Sequence, residues 1–450
     1  MSEAPTTIPA TNRFPAFLVL WGSQTLSLFG TMVTQFAVNV WLARDLFPLV
    51  AQKPRLAVAL TITGFASTAP LIFGMPLAGA FADRHDRQRI LVVANTLLAL
   101  LAGGLVALSL AHRLTLPLAA SLLVLYSLAS SFHSAAFDSS YGRFVAPEAL
   151  PRAGGMMMTS YALAQMLAPP LAAMLVGLPA WLGGAARLPA WLLNGIPFAF
   201  AADGLTFVVA AMTAAVLRFP PQPTQPAGPR ASLAADVRAG FRWILTRRPF
   251  LWLIGIGSLA NFTFAPLMVL LPMLARDRVA ADAALHHMRF EAVLALVNTA
   301  GGLGGVLGGV GVSTLGLRAH RKGIVMAACL VVLGAGEAIA GLATSVWMLA
   351  FGMFVGELLV APLNTASYTL WQSLTPPHML ARALSTRRFI AQSAFPLGTV
   401  LAGWIAVGVE PWIVVFLSGA VLALYSLTRL ASPGFRALED RMREAAARPD

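Results

Sequence analysis

Long apolar runs recur along the whole chain, and they constrain its fold more than any other feature. A helix needs about 20 consecutive apolar residues to cross a bilayer. Hydrophobic residues make up 58% of the 450 residues and charged residues only 11%, whereas soluble chains are roughly a quarter charged. We therefore predict an all-α membrane protein with twelve transmembrane helices. The predicted spans are residues 14–43, 56–82, 90–111, 115–138, 154–178, 191–217, 250–275, 290–315, 323–343, 346–372, 387–408 and 411–430.

The longest connection between these runs divides the chain near its middle. Residues 218–249 begin with a proline-rich stretch, FPPQP after Arg218, and such sequence suits a linker rather than a packed core. Within it, residues 232–246 are predicted to form an amphipathic helix at the headgroups, with Arg238, Arg242 and Trp243 facing them. The predicted parts are a tail 1–13, a six-helix bundle 14–217, a linker 218–249, a second six-helix bundle 250–430 and a tail 431–450.

The basic residues indicate orientation. The net charge is +13, but Lys and Arg lie in short loops between apolar runs rather than clustered with aromatic residues on one face, as in nucleic-acid binders. With the N-terminus inside, 23 of the 31 Lys and Arg lie in inner loops and tails, including Arg382, Arg387 and Arg388 around the start of the eleventh span. This excess favours both termini in the cytoplasm. We predict a lipid bilayer, and no nucleic acid, as the partner.

Two internal sequence matches relate the halves of the chain. Residues 79–90 align with residues 313–324 at a shift of 234, with two arginines and an isoleucine in register. Residues 147–153 align with residues 377–383 at a shift of 230. Both pairs fall in equivalent predicted inner loops. Two matches at nearly one shift predict a parallel repeat, and hence two pseudo-symmetric bundles related by an axis along the membrane normal.

The loop after the second predicted helix resembles a signature of the major facilitator superfamily, Gly-x-x-x-Asp-Arg-x-Gly-Arg-Lys/Arg-Lys/Arg. The sequence of residues 79–89 is GAFADRHDRQR. Its charged matches are Asp83, Arg84, Arg87 and Arg89. Asp86 replaces the usual glycine and Gln88 one basic residue. The DRHDR form is similar to the drug-exporter branch that includes macrolide efflux proteins.

Three further stretches resemble that branch. They are residues 145–153, residues 203–207 and, more distantly, residues 168–173, APPLAA. The last stretch is similar to the antiporter motif Gly-Pro-x-x-Gly-Gly, with alanine in place of every glycine. The small residues suit helix packing, but the changed motif leaves export and import both open.

The resemblance implies the major facilitator fold, a monomer and a gate on the inner side. In the family, the signature aspartate pairs with inner-loop arginines and faces the N-terminus of helix 11. The implied gate residues are Asp83, Arg84, Arg87 and Arg89, with Asp138 at the end of helix 4 within reach of Arg87. The alternative is that these charges only set the topology.

Acidic residues within the spans are candidates for ion coupling. A carboxylate at the bilayer centre costs at least ~2.5–3.5 kcal/mol, so its presence favours a functional role. There are three of them, Asp203, Glu337 and Glu357. Because the resemblance makes helices 1, 4, 7 and 10 line the cavity, Glu357 in helix 10 is the first candidate for proton coupling. The other two would cap or pair within the bundle, and His133 in helix 4 is a further candidate, since imidazole titrates near neutral pH.

The same implied arrangement suggests the wall of a substrate cavity. The candidates are Gln24, Gln35, Asn39, Tyr126, Asn261, Phe264 and Asn364. Sparse amides among aromatic rings suit a bulky, mostly apolar small molecule. The alternative is that the amides bond between helices.

No cofactor and no metal are predicted. The glycine run at 301–305 lacks the Gly-Lys-Ser/Thr of a phosphate loop, so close helix packing explains it better. The single cysteine, Cys329, cannot form an internal disulfide. His286 and His287, with Asp282 and Glu291, offer at most a weak outer metal site.

We therefore expect a secondary active transporter rather than an enzyme, in the inner membrane of a bacterium. The favoured activity is export of small amphipathic molecules, such as drugs, macrolides or secondary metabolites, by proton antiport and alternating access. An importer or uniporter of an organic solute and a siderophore exporter stay open. A membrane enzyme or sensor is least favoured, because the short loops offer neither a catalytic cluster nor a signalling domain.

Overall fold

The computed structural model describes residues 14–146, 149–189, 192–219, 233–316, 321–376, 379–432 and 437–446, which are mostly helical and include no strand. The first helices are α1 (Phe14–Val40), α2 (Lys53–Arg84), α3 (Arg87–Leu110), α4 (Leu116–Phe144), α5 (Leu150–Trp181) and α6 (Ile196–Val216). The next are α7 (Leu233–Leu245), α8 (Arg248–Met273), α9 (Ala280–Leu285), α10 (Phe290–Leu315) and α11 (Lys322–Leu342). The last are α12 (Val346–Leu358), α13 (Val360–Leu374), α14 (Leu380–Ile405), α15 (Pro411–Ala431) and α16 (Leu438–Ala446). Outside these ranges lie the tail 1–13, linker residues 220–232, Arg318 and parts of the second internal sequence match.

Within the described ranges, eleven helical segments are long and apolar enough to cross a membrane. The predicted span 387–408 is the one not among them. It lies in α14, which begins at Leu380 and carries Arg382, Arg387 and Arg388 in its first turns. Placing these arginines in a loop was wrong, because arginine is a good helix former and the helix continues through them.

The predicted span 346–372 is two helices rather than one. The break falls after Leu358, and α13 begins at Val360. Pro362 explains it, because a proline ring clashes with the carbonyl four residues earlier, here that of Leu358, and offers it no N–H. The helix resumes where the N–H of Leu363 donates to the carbonyl of Leu359 at 3.0 Å. The predicted span is confirmed as one membrane-length segment, Val346–Leu374, with an interruption at Leu359 that was not predicted.

Helix contacts before residue 217 recur after residue 248. In the N-terminal set, α1–α6, α2 packs on α4, α3 on α6, and α1 on α5 and α6. In the C-terminal set, α8–α15, the corresponding helices pack alike: α10 on α12, α11 on α15, and α8 on α14 and α15. The two sets meet chiefly where α5 packs on α10 and where α2 packs on α14.

The glycine run in α10 allows two of these close contacts. A Cβ added to Gly302 would lie 2.5 Å from the Cα of Met166 in α5. A Cβ added to Gly304 would collide with the carbonyl of Phe354 in α12. The prediction that this run serves close helix packing is confirmed.

The amphipathic helix predicted at residues 232–246 corresponds to α7. Arg238 and Arg242 are exposed, as expected. Trp243 is instead buried, with its ring 4.7 Å from that of Phe250 and the guanidinium of Arg247 4.6 Å above it. Placing Trp243 at the headgroups was wrong, because this side of α7 packs against α8.

Candidate functional site

The chain reverses at each connection, so the helices define two ends of the molecule. The motif end holds residues 82–89, residues 137–146, residues 149–153 and the start of α14. The far end holds residues 41–53, residues 274–291 and the start of α15. Contacts between the two sets differ sharply from one end to the other.

At the far end, Arg44 ties the two sets together. Its Nη1 lies 2.8 Å from Oε1 of Glu291 at the start of α10. Its Nη2 donates to Oδ1 of Asn194 at 3.0 Å, and its Nε pairs with Asp45 at 2.7 Å. Asn194 in turn donates to Asp45 at 2.8 Å. One guanidinium therefore holds the end of α1 against both α10 and the connection before α6.

Arg276, at the end of α8, makes the reciprocal contact. Its Nη1 donates to the carbonyls of Ala43 at 3.0 Å and Phe47 at 2.7 Å, both just after α1. Its other nitrogens pair with Asp277, at 2.7 Å from Nε. Lys53 and Glu410 add a longer and more exposed ion pair between the sets, at 3.5 Å.

The residues of this network were not predicted, although the sequence carries a signal for them. Residues 42–45 and residues 274–277 both read Leu-Ala-Arg-Asp, at a shift of 232 that lies between the two shifts already noted. Both copies fall in π-helical segments, Trp41–Leu46 after α1 and Leu274–Arg278 after α8. Such segments are rare and occur frequently at functional sites.

Buried apolar residues show the same contrast between the ends. Toward the far end one continuous cluster joins both sets, with Phe36 and Leu60 on one side and Leu270 and Val293 on the other. Toward the motif end the clusters around Phe17 and Ile90 belong to the N-terminal set, and that around Trp371 to the C-terminal set. The core is thus shared at the far end and divided at the motif end.

The signature residues at the motif end bond within their own set. Arg87 pairs with Asp83, with Nη2 and Oδ1 3.2 Å apart, and donates to the carbonyl of Ser139 in α4 at 2.5 Å. The Asp83 side chain is 68% exposed, so the pair contributes little stability. Arg84 and Arg89 are exposed.

The two departures from the signature have structural roles. Asp86 caps α3, since its Oδ1 accepts the N–H of Arg89 at 3.1 Å, a preferred arrangement at a helix start. Gln88 donates to the carbonyls of Ala214 at 3.0 Å and Leu217 at 2.8 Å, which closes the last turn of α6. These contacts fix the loop to the N-terminal set.

Asp138 faces the other set rather than Arg87. Arg87 bonds to the neighbouring Ser139 carbonyl, whereas the Asp138 carboxylate interacts electrostatically with Arg388 of α14. Phe73 and Phe389 meet close by, with ring centroids 5.9 Å apart. Arg388 was missed as a site residue because it had been placed in a loop.

Asp203 lies inside the N-terminal set. Its Oδ2 accepts hydrogen bonds from Thr34 Oγ1 at 2.8 Å and from the Tyr126 hydroxyl at 2.9 Å. The same hydroxyl lies 2.9 Å from Thr31 Oγ1. Tyr126, a cavity candidate, is therefore buried and committed to Asp203. The network joins α1, α4 and α6.

The two glutamates occupy different places in the C-terminal set. Glu337 is fully buried against Gly419 of α15, and neither carboxylate oxygen has a hydrogen-bond partner in the described part of the chain. Glu357 is partly exposed, next to Gly301 of α10 and one residue before the α12 end. It interacts electrostatically with Glu337 and with Tyr161 of α5. Of the three acids, Glu357 is the one that is partly exposed and near enough to Tyr161 of the other set to interact with it electrostatically.

His133 and Gln24 form a pair within the N-terminal set. His133 Nε2 lies 2.6 Å from Gln24 Oε1, so this nitrogen donates to the amide oxygen. The imidazole lies beside the rings of Phe137 and Phe207, at centroid distances of 6.3 Å. The pair links α1 to α4, as an interhelical hydrogen bond does.

The remaining cavity candidates differ in exposure. Asn364 is exposed, while Gln35, Asn39, Asn261 and Phe264 are half-buried. Asn261 donates to the carbonyl of Gly257 in its own helix, at 2.9 Å.

Three of the four residues of the weak metal site have hydrogen-bond partners. Glu291 accepts from Arg44, and Asp282 accepts the N–H of Val346 at the start of α12, at 2.8 Å. His286 Nδ1 lies 2.9 Å from the carbonyl of Asp282. No group of three or more potential metal ligands occurs in the described ranges.

Known proteins resemble the chain over nearly its whole length. The family described as transmembrane secretion effectors, within the major facilitator superfamily, matches residues 6–445. The chain belongs to this family. Macrolide efflux protein A of Streptococcus pyogenes is 23% identical over 90% of this chain and 93% of that protein. Multidrug efflux pump Tap of Mycobacterium tuberculosis is 25% identical over 87% of each chain.

A solved structure shares the fold. The crystal structure of a bacterial homologue of the lysosomal transporter Spinster, in an inward-facing and unoccupied conformation, superposes with a TM-score of 0.64. Its identity is 15%, and the alignment covers 99% of this chain and 100% of that one. The protein is therefore a multi-pass major facilitator transporter and not an enzyme, which confirms the predicted family.

Proposed function

We propose that this transporter exports small amphipathic molecules by proton antiport, through alternating access between two six-helix bundles. The bundles would comprise residues 14–217 and residues 250–430, with residues 218–249 as the linker. The α14 helix would supply the twelfth span, since its 26 residues would reach about 39 Å.

The contrast between the two ends carries this proposal. Alternating access requires states in which one end joins the two bundles while the other separates them. Arg44–Glu291 and the Arg276 contacts join the sets at the far end. The buried clusters at the motif end are divided between the sets. This pattern is the one expected of a state open at the motif end.

The excess of Lys and Arg on the inner side supports a cytoplasmic position for the motif end. Both termini would then lie inside a bacterial cytoplasmic membrane, and the state would be inward-open. Such a state is the one that loads a substrate for export. We propose that the transporter works as a monomer, because each copy would carry both halves of its own cavity.

The efflux relatives support a drug-like substrate. Half-buried amides and Phe264 between the sets suit a bulky molecule with few polar groups. A macrolide-like drug or secondary metabolite is the favoured class. A siderophore exporter, or an importer or uniporter of an organic solute, is the second candidate, because residues 168–173 lack the antiporter glycines.

Glu357 is the proposed proton carrier. A coupling group must exchange protons with water in one state and meet the substrate path in another. Glu357 alone of the three acids is partly exposed, and it interacts electrostatically with Tyr161 of the other set. Asp203 would act as the structural anchor of α1, α4 and α6, and Glu337 and His133 as secondary carriers.

Drug accumulation in an efflux-deficient host tests the function. We expect expression to lower accumulation of amphipathic drugs, and a protonophore to restore it. Unchanged accumulation across a broad panel of drugs would contradict the export of drugs. It would favour import, or a transporter specific for one metabolite outside the panel. Glu357→Gln should abolish transport driven by a pH gradient in sealed vesicles, with Asp203→Asn as the comparison. If coupling survives Glu357→Gln and is lost in Asp203→Asn, the carrier is Asp203.

A further inference from the structure

A cleft at the motif end lies away from the contacts described above. It has a volume of about 270 Å³ and lies between α8 and α15. Its walls are Trp252, Ile256, Tyr425, Arg429 and Ser432. Four of them belong to α8 and α15 of the C-terminal set, and Ser432 directly follows α15.

Arg429 is the charged group of this cleft. Its guanidinium lies over the Tyr425 ring, 4.7 Å from the centroid. Its Nε is buried and has no hydrogen-bond partner in the described part of the chain. A buried donor left unbonded is costly, so a ligand with acceptor oxygens would complete this site. The residue thus combines a fixed position with an unused donor.

The surroundings match a lipid headgroup rather than a soluble anion. Trp252 is 44% exposed, and Leu424 and Leu427 on the same helix as Arg429 are 64% and 53% exposed. Tryptophan and tyrosine are enriched at the depth of the headgroups. A second cation, Arg441 of α16, lies 5.8 Å from the Trp252 ring centroid. An acyl chain would lie on the exposed leucines while its phosphate meets the arginines.

We propose that this cleft binds the phosphate of an anionic phospholipid in the leaflet at the motif end. The planar guanidinium donates two parallel N–H groups that match phosphate oxygens. The Ser432 hydroxyl at the rim supplies one more donor. Bound there, the lipid would bridge α8, α15 and α16, which otherwise meet around the buried side chain of Met442. The site is independent of the transported substrate and of the coupling ion.

Lipid binding to the purified full-length protein tests the site. Phosphatidylglycerol and phosphatidylcholine would be titrated separately, with bound lipid counted by native mass spectrometry. We expect the protein to prefer phosphatidylglycerol. Arg429→Gln should weaken that binding at least about tenfold, which corresponds to about 1.4 kcal/mol. Arg443→Gln is the matched control, because Arg443 is 68% exposed on α16 and pairs only loosely with Asp440, at 3.9 Å.

Equal phosphatidylglycerol affinity in Arg429→Gln and the wild type would overturn the site. Competition by inorganic phosphate is the second measurement. If phosphate competes with the lipid at equal concentration, the cleft binds a free anion and the lipid assignment is wrong. Should Arg429→Gln fail to fold, Arg429→Lys would be tested instead, because lysine keeps the positive charge but lacks the two parallel N–H groups of the guanidinium. Wild-type affinity in Arg429→Lys would equally overturn a site built on the guanidinium.

Discussion

The far end and the motif end of this transporter differ in whether their ion pairs join the two sets of helices. At the far end Arg44 reaches Glu291 of the other set, and these side chains are 29% and 11% exposed. At the motif end Arg87 reaches Asp83 of its own set, and that carboxylate is 68% exposed. A half-buried pair between sets resists separation, whereas an exposed pair within one set does not. The position of a charged pair thus decides whether it works as a latch.

The largest effect is expected when the far end is cross-linked so that it cannot open. Cysteines at Arg44 and Glu291, in a Cys329→Ser background, would be joined by a short bifunctional thiol reagent. Because the far end must open to release substrate, cross-linking should stop transport completely. The readout is drug flux in vesicles before and after the link is reduced. Normal flux through cross-linked protein would show that the far end never opens, and each single cysteine is the control.

Weakening the far-end latch should have a smaller effect on the same equilibrium. Glu291→Gln removes the charge that holds Arg44. Glutamine keeps an acceptor oxygen for Arg44, but a hydrogen bond to a charged group, worth about 1.5–3 kcal/mol, becomes a neutral one worth about 0.5–1.5 kcal/mol. Far-end opening should therefore rise about fivefold, which corresponds to about 1 kcal/mol. A cysteine at Phe36, in the shared cluster, reports opening through its rate of labelling by a membrane-impermeant reagent.

Glu410→Gln is the matched control for this experiment. Glu410 also pairs across the sets, with Lys53, but at 3.5 Å and with 56% of its side chain exposed. Exposed pairs contribute about 0–1 kcal/mol, so labelling should hardly change. Equal labelling rates in both variants would contradict the role of Arg44 as the latch.

The sequence predicted the helices well because their period and length depend on local hydrophobicity. It did not show where one residue changes the geometry within a span, as when Pro362 interrupts the helix at Leu359. It also failed for α14, which begins at Leu380 and includes Arg382, whereas the predicted span began at residue 387. Where a helix begins or breaks depends in such cases on residues that are distant in sequence, and a short stretch of sequence does not contain them.

Site residues show the same limit. The carboxylates Asp203, Glu337 and Glu357 were found because any acid in an apolar run is unusual. Their different environments depend on helices far away in sequence, such as α5 beside Glu357 and α15 beside Glu337. Arg44 and Arg276 were overlooked because each lies at the end of a span, where an arginine is ordinary. The repeated Leu-Ala-Arg-Asp was the available signal.

Asp83→Asn tests the motif end, with the smallest expected effect on stability. Asp83 pairs only within its own set, so the melting temperature should stay near that of the wild type, within the ~0–1 kcal/mol of an exposed pair. Transport should nevertheless slow, because in the opposite state the motif end must close and Asp83 is the proposed contact to α14. Asp86→Asn is the control, since asparagine caps a helix as well as aspartate. Flux measured in vesicles separates the two roles: equal, normal rates in both variants would leave Asp83 with topology alone.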